Sequence, residues 1–227
     1  MKVRVDKRRY DTSLRQDQSA RTRQRIIDVT RVLILERGYR ATTVAAVARE
    51  ANVHVDTVYQ LVGRKPELII ELIEQALSGT DHEVAGEHRD HVTAMRAQPH
   101  AVDKLRIYAK AMSETHQRLA PLFLALRDAS SADESALRIW RQISGRRAMN
   151  MRRLVGDLAE TGELRAGLVI EDAADTMWAT NSPELYVLLT VERGWTAERY
   201  EQWLNETWTL LLLARATPST KTRGRRQ

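Results

Sequence analysis

The sequence predicts an all-α fold, and three observations carry that expectation. Apolar residues recur three and four positions apart along most of the chain, strict alternation over the length of a strand is absent, and helix caps and stops fall where the periodic stretches begin and end. The 227 residues are 43% hydrophobic, enough for a sizeable core despite a charged fraction of 29%. Cysteine is absent, which excludes disulfides, thiol catalysis and cysteine metal sites and suits a reducing, cytoplasmic compartment. The longest apolar run, near Leu210 to Ala214, is far short of the roughly 20 residues a membrane helix needs. Lys2, Arg4, Lys7, Arg8 and Arg9 are followed by no apolar segment, so no secretory leader and no membrane partner are expected.

In chain order, residues 1–20 carry scattered charge without an apolar stripe and read as a mobile basic arm. Such an arm has two readings, a minor-groove contact and a solvated extension. About nine helices follow. The first spans 21–37 and stops at Gly38, the second 43–51, the third 54–61, and the fourth 66–78 with Pro66 in its first turn. Residues 80–99, rich in Asp, Glu, His and Gly and closing on Gln98-Pro99, read as a long loop. Helices then follow over 101–118, 121–128, 133–160 with Asp133 as N-cap and Gly162 beyond its end, 171–191, and 197–214. Pro183 after Ser182 should bend or interrupt the penultimate helix. Residues 215–227 read as a basic, disordered tail. The division expected is an arm (1–20), a small three-helix unit (21–65), a larger helical body (66–214) and the tail.

Charge is unevenly distributed. Residues 1–65 hold 15 basic and 7 acidic side chains, residues 66–213 hold 16 and 23, and residues 214–227 hold 5 and none. A basic N-terminal block beside an acidic middle points to a polyanion at one end, with nucleic acid the first candidate.

The stretch Thr42 to Leu61, TTVAAVAREANVHVDTVYQL, contains two short amphipathic helices joined by a tight turn. The first buries Val44, Val47, Ala48 and Ala51, with Thr42 or Thr43 as its N-cap. Asn52 falls where a left-handed backbone is needed, which Asn tolerates well. In the second, an inward stripe of Val55, Val58 and Val62 leaves His54, Asp56, Thr57 and Gln60 facing outward. This is the pattern of a helix-turn-helix, in which one helix braces against phosphates while the other presents donors and acceptors in the major groove. Gln60 can pair with adenine, Asp56 can accept from cytosine, and His54 can donate to guanine. Asp56 also suits the helix dipole.

The segment Arg25 to Leu68 resembles the DNA-binding domain of the tetracycline-repressor (TetR) family. The matching landmarks are Ile26, Leu33, Gly38-Tyr39, Thr42-Thr43, Val47-Ala48, Ala51, Thr57, Tyr59, Lys65 and Leu68. Departures are Asn52 for the usual Gly, Val62 and Ile34 for the usual Phe, and Arg64 for the usual small polar residue, which suggests a compensated repacking. The resemblance implies phosphate contacts from Thr42 or Thr43, Tyr59 and Lys65. Tyr59 has a second reading as a core aromatic over Val44.

At the C-terminal end, residues 171–213 look like the last two helices of many family members, which form a four-helix dimer interface. Leu185, Leu188 and Leu189 on one helix and Tyr200, Trp203, Leu204, Trp208 and Leu211 on the next give broad apolar faces rich in Trp and Tyr, with ordinary internal core as the other reading. The resemblance further implies an unidentified small-molecule effector in the middle helices, with the fourth helix, through Leu68, Leu72 and Ile73, coupling it to the reading heads. Tyr108, Met112, His116, Phe123, Trp140, Met177, Trp178 and Asn181 are the candidate pocket residues, and each can equally be core.

The implied function is that of a homodimeric, ligand-responsive repressor on a palindromic duplex operator. A helical small-molecule-binding or enzyme-like protein whose N-terminal unit does not read DNA is the alternative. No phosphate loop, nucleophile elbow or paired zinc histidines occur, so no catalytic constellation or cofactor is implied. His82, His88 and His91, with Asp81, Glu83, Glu87 and Asp90, lack a recognised metal spacing and read as surface residues of a polar loop. The arginines of the seventh helix, Arg138, Arg141, Arg146, Arg147, Arg152 and Arg153, have two readings, a second anion site and a solvated face with buried stems, of which the solvated face is expected.

Overall fold

The computed structural model describes residues 6–79 and 88–214, with side chains from residue 15 onward. Its helices are α1 Asp6–Ala41, α2 Val44–Glu50, α3 Val55–Leu61, α4 Lys65–Ser78, α5 Asp90–Arg96, α6 Ala101–Ser130, α7 Glu134–Ala159, α8 Ile170–Thr180, α9 Pro183–Val187 and α10 Ala197–Leu212. The all-α expectation is met. A lone pairing of Leu164 with Leu213 fastens the end of α10 to the loop after α7.

Four boundaries differ from the sequence reading. Helix α1 begins at Asp6, inside the segment read as an arm, and kinks at Gly38 (φ 76°) so that Tyr39 turns into the core. Residues Asp90–Arg96 form a helix inside the expected 80–99 loop, anchored by Met95, its one apolar residue buried against α6. The expected helices 101–118 and 121–128 are one, since α6 runs through Pro121. Pro121 and Gln117 both lie on the exposed side, where solvent can reach the carbonyl that loses its donor, so the helix continues. The expected 171–191 helix is broken as Pro183 requires: α8 ends at Thr180, Ser182 caps α9 by accepting from Leu185 N, and a π-helical turn, Leu188–Glu192, follows. The expected tail at 215–227 lies outside the described residues.

Other caps fall where expected. Asp133 accepts from the amides of Ser135 and Ala136 at the start of α7, and Gly162 takes a positive φ after its end. The cap of α6 comes from a distant element, since Glu163 accepts from Ala101 N at 2.6 Å and from His100 Nδ1 at 2.8 Å.

Two apolar cores lie along α6 and α7. One joins α1–α4 to the second half of α6 and the start of α7 around Ile26, Val58, Leu72 and Phe123. The other joins α5, the first half of α6, the end of α7, α8 and α10 around Leu105, Leu158, Met177 and Trp208. Helix α4 contributes Leu68, Leu72 and Ile73 to the first core, so the small N-terminal unit packs without a break onto the body.

Candidate nucleic-acid interface

Helix α2 is capped by Thr43, whose hydroxyl oxygen accepts from Ala46 N at 3.1 Å. The choice left open between two threonines is settled by that bond. Thr42 is buried and its hydroxyl donates to Gly38 O at 2.9 Å, so its donor is already committed and it is withdrawn from the phosphate contacts. After α2 the chain reverses at Asn52 (φ 52°), with Val53 N donating to Ala48 O and Asn52 N to Arg49 O. This paired-bond helix stop uses the left-handed residue the sequence supplied. Val47, Ala48, Ala51 and Val58 are buried between α2, α3 and α1.

Helix α3 stands on that scaffold with His54, Asp56, Tyr59 and Gln60 exposed. Tyr59 is 48% exposed, which removes its reading as a core aromatic. Two expectations need correction here. Val55 lies 37% exposed, because the inward stripe of so short a helix is carried by Val58 with Leu61 and Val62. Thr57 is only half exposed, on the edge of the reading face.

The far end of α3 is held by a residue the sequence reading did not single out. Arg23 on α1 donates from Nε to Leu61 O at 3.2 Å and makes a two-point pair with Glu71 of α4, at 2.5 and 2.8 Å. One guanidinium thereby fixes three helices, and Glu71 in turn holds its pKa up. Lys65 at the start of α4 sits with Nζ 3.9 Å over the Tyr39 ring and donates to Arg40 O at 3.5 Å. Burial lowers its pKa. The Tyr39 hydroxyl bonds Ser135 at the start of α7 at 3.0 Å, so this corner ties the reading unit to the body.

Between the two cores lies a cavity of about 110 Å³, partly open to solvent, lined by α4, α5, α6, α7 and Asn181. Four of the eight pocket candidates line it: Tyr108, Met112, His116 and Asn181. The other four are corrections. Phe123 and Met177 are fully buried in the first and second cores, Trp140 leans on the first core, and Trp178 packs against the second. Helical spacing placed all eight on inward faces without saying which faces meet a void. His116 is buried, bonds Tyr200 Oη through Nδ1 at 3.1 Å, and is held neutral with its pKa lowered to about 3 by desolvation. Tyr108 Oη accepts from Asn181 Nδ2 at 3.4 Å, and burial raises its pKa to about 12. His91 at the same cavity is lowered to about 4 for the same reason. Asp81, His82, Glu83 and Glu87, named with it as a polar cluster, lie outside the described residues.

The arginines of α7 divide. Arg138, Arg141, Arg152 and Arg153 are exposed, as expected of a solvated face. Arg146 turns inward to the buried Glu74 of α4, which Arg89 also approaches at 3.8 Å. Arg147 also points inward, and the sequence held its signal: it interrupts the stripe Ile143, Met151, Val155 and Leu158 at a spacing of four.

At the C-terminal end, Tyr200, Leu204 and Trp208 are fully buried within the chain. They belong to the second core and are withdrawn from the expected dimer face, since α10 turns its richest aromatic stripe onto α6 and α8. Leu185, Leu189 and Trp203 are half-buried, whereas Leu188 (47%), Val191 (72%), Leu210 (72%) and Leu211 (37%) remain exposed.

The model of bacterial regulatory proteins of the tetR family matches residues 26–72. No curated protein matches the chain. Among solved structures, the fatty acid degradation regulator FadR from Bacillus halodurans is 18% identical, covering 84% of this chain and 94% of its own, with a TM-score of 0.65. FadR from Bacillus subtilis in complex with stearoyl-CoA is 18% identical over 83% and 96%, at 0.63. NalD, the secondary repressor of the MexAB-OprM multidrug efflux pump in Pseudomonas aeruginosa, is 19% identical over 87% and 100%, at 0.66. At these identities the likeness is one of fold.

Proposed function

We propose, from the premise that this chain belongs to the TetR family of bacterial regulatory proteins through residues 26–72, that it is a homodimeric repressor released from a palindromic operator by a small molecule. The observation that carries the reading is the exposed polar face of α3, with His54, Asp56, Tyr59 and Gln60 held off a rigid scaffold by Val58 and Arg23. Thr43 keeps a hydroxyl proton for a phosphate while its oxygen caps α2. In a two-fold dimer, two such helices enter successive major grooves about 34–36 Å apart.

Two features support the remaining parts of the proposal. The exposed Leu188, Val191, Leu210 and Leu211 are apolar side chains that a second copy would cover. The cavity offers an effector site next to α4, the helix that joins the reading unit to the body. For release, the effector must favour the state that cannot bind DNA; a swing from 1:99 to 99:1 needs roughly 5.5 kcal/mol of differential affinity.

The test is selection of duplexes from a random pool by the purified protein, followed by affinity against salt. An inverted repeat should emerge, and binding should fall steeply with ionic strength as phosphate contacts release counterions. A pool that stays random, or binding indifferent to salt, overturns the reading in favour of a helical small-molecule-binding or enzyme-like protein.

A further inference from the structure

We infer that the cavity is built for an organic anion, a molecule with one acidic head group on an apolar body, and that Arg147 is the residue that binds the head. The inference rests on the effector reading above and adds the chemical class of the effector.

The argument starts from charge. Among the cavity's lining residues, Arg96 is paired with Asp157 at 3.1 Å, Arg89 lies 3.8 Å from Glu74, and Arg153 is exposed at the rim. Arg147 differs from all three. It is half-buried and donates through Nη2 to the main-chain oxygens of Trp178, at 3.3 Å, and Asn181. Its guanidinium is flanked by the rings of Trp178 and Phe123, at 5.5 and 5.7 Å from their centroids. Among the described residues no carboxylate contacts it, and its hydrogen bonds all run through Nη2. The acid whose field acts on it, Glu184, is bonded to Arg127 at 3.1 Å instead.

A guanidinium drawn partly out of water with no carboxylate in contact is costly, and carbonyls and rings compensate only part of that cost. Arg147 lines the cavity, and its Nη1, which carries two N–H donors, can give a charge-assisted hydrogen bond to an oxygen of a carboxylate or similar oxyanion. The wall around them is apolar, with Leu77, Val92, Met95, Met112, Met151 and Leu154, and the thioethers adapt to bodies of different shape. The two histidines of the lining add no positive charge at neutral pH, because burial holds both neutral. Discrimination for charge therefore falls on Arg147. The main-chain oxygens it holds belong to the last turn of α8 and to Asn181 just beyond it, so a head group drawing on the guanidinium acts directly on the end of that helix.

The experiment is isothermal titration of the full chain with three acids, octanoate, benzoate and indole-3-acetate, each against its uncharged amide at neutral pH. At least one acid should bind tenfold or more tightly than its amide, and Arg147→Met should bring acid and amide to within threefold of each other. Arg147→Lys, which keeps the charge and loses the guanidinium's hold on the two main-chain oxygens, should give an intermediate preference. If no acid outbinds its amide on the unaltered protein, or if the preference survives Arg147→Met, the inference is overturned; the first comparison holds even where a variant does not fold. Because heat of binding is read without DNA, an acid that binds and leaves the operator complex intact keeps the anion assignment and removes release by this ligand from the proposed function.

Discussion

His116 joins packing and protonation in one side chain. It is enclosed between α6 and α10, bonded to Tyr200, and its pKa is pushed down to about 3 by loss of hydration. The unfolded chain regains a value near 6.5 and takes up a proton that the folded chain refuses. The stability this residue contributes is complete above pH 6.5 and is lost as pH falls toward 3, about 2 kcal/mol of it by pH 5. Urea unfolding between pH 7 and pH 5 should therefore show a decline that His116→Gln makes shallower; a variant with an unaltered slope would place the pH dependence elsewhere. On the reading helix, residues differ in kind. Gln60→Ala should relax preference at one base pair, costing about 1–3 kcal/mol on the preferred sequence and little on others, whereas Tyr59→Phe should weaken binding on all duplexes alike. Competition assays on a set of single-substitution operators measure both patterns.

Helix α3 has only seven residues, too few to be stable alone, and its orientation comes from what grips its two ends. The start is set by the Asn52 reversal, and the finish by Arg23, which spans from Leu61 O to Glu71. Arg23→Met should cost about 1 kcal/mol of stability, because the pair is partly solvent-screened, yet reduce DNA affinity by roughly tenfold or more as α3 loses its fixed angle to α4. Arg23→Lys should fail to restore binding, since an ammonium is a poor substitute for a guanidinium that bonds a carboxylate and a carbonyl at once. Thermal melts beside anisotropy titrations separate the two effects; equal proportional losses in both would mean the arginine acts on folding alone. Helix α6 shows the same dependence on a remote partner, with its first amide capped by Glu163 from 62 positions further along.

For the whole molecule, the exposed Leu188, Val191, Leu210 and Leu211 set the expectation for assembly. Val191 and Leu210 touch little of their own chain, each 72% exposed, so a charge there should spare the monomer fold. Val191→Asp with Leu210→Asp should shift sedimentation from dimer to monomer with the helical circular dichroism preserved, and should lower operator affinity because each half-site then binds alone. A double variant that sediments as a dimer would move the interface off this surface. Among the described residues no helix is long and apolar enough to cross a membrane, and the two cores account for most of the large apolar side chains.

The helical class, the helix-turn-helix and the break at Pro183 were all legible in the chain, because period, caps and proline act through neighbours a few residues away. Thr43, Asn52, Asp133 and Ser182 each do their work within five residues of themselves. The sequence also set which face of α3 is exposed, since on a short helix with one buried Val58 the opposite side has nowhere to go but solvent. Only the tertiary structure decided which inward faces meet a void and which meet another helix. Phe123 and Met177 went to core while Tyr108 and His116 went to the cavity wall, and Tyr200, Leu204 and Trp208 packed inside their own chain. Arg23 was likewise silent in one dimension, and the place of Arg147 in an apolar stripe did not say what it meets, because their partners lie between 31 and 48 positions away. Local periodicity states that a side chain turns inward; what it meets there depends on how separate helices stack, which no short stretch of sequence encodes.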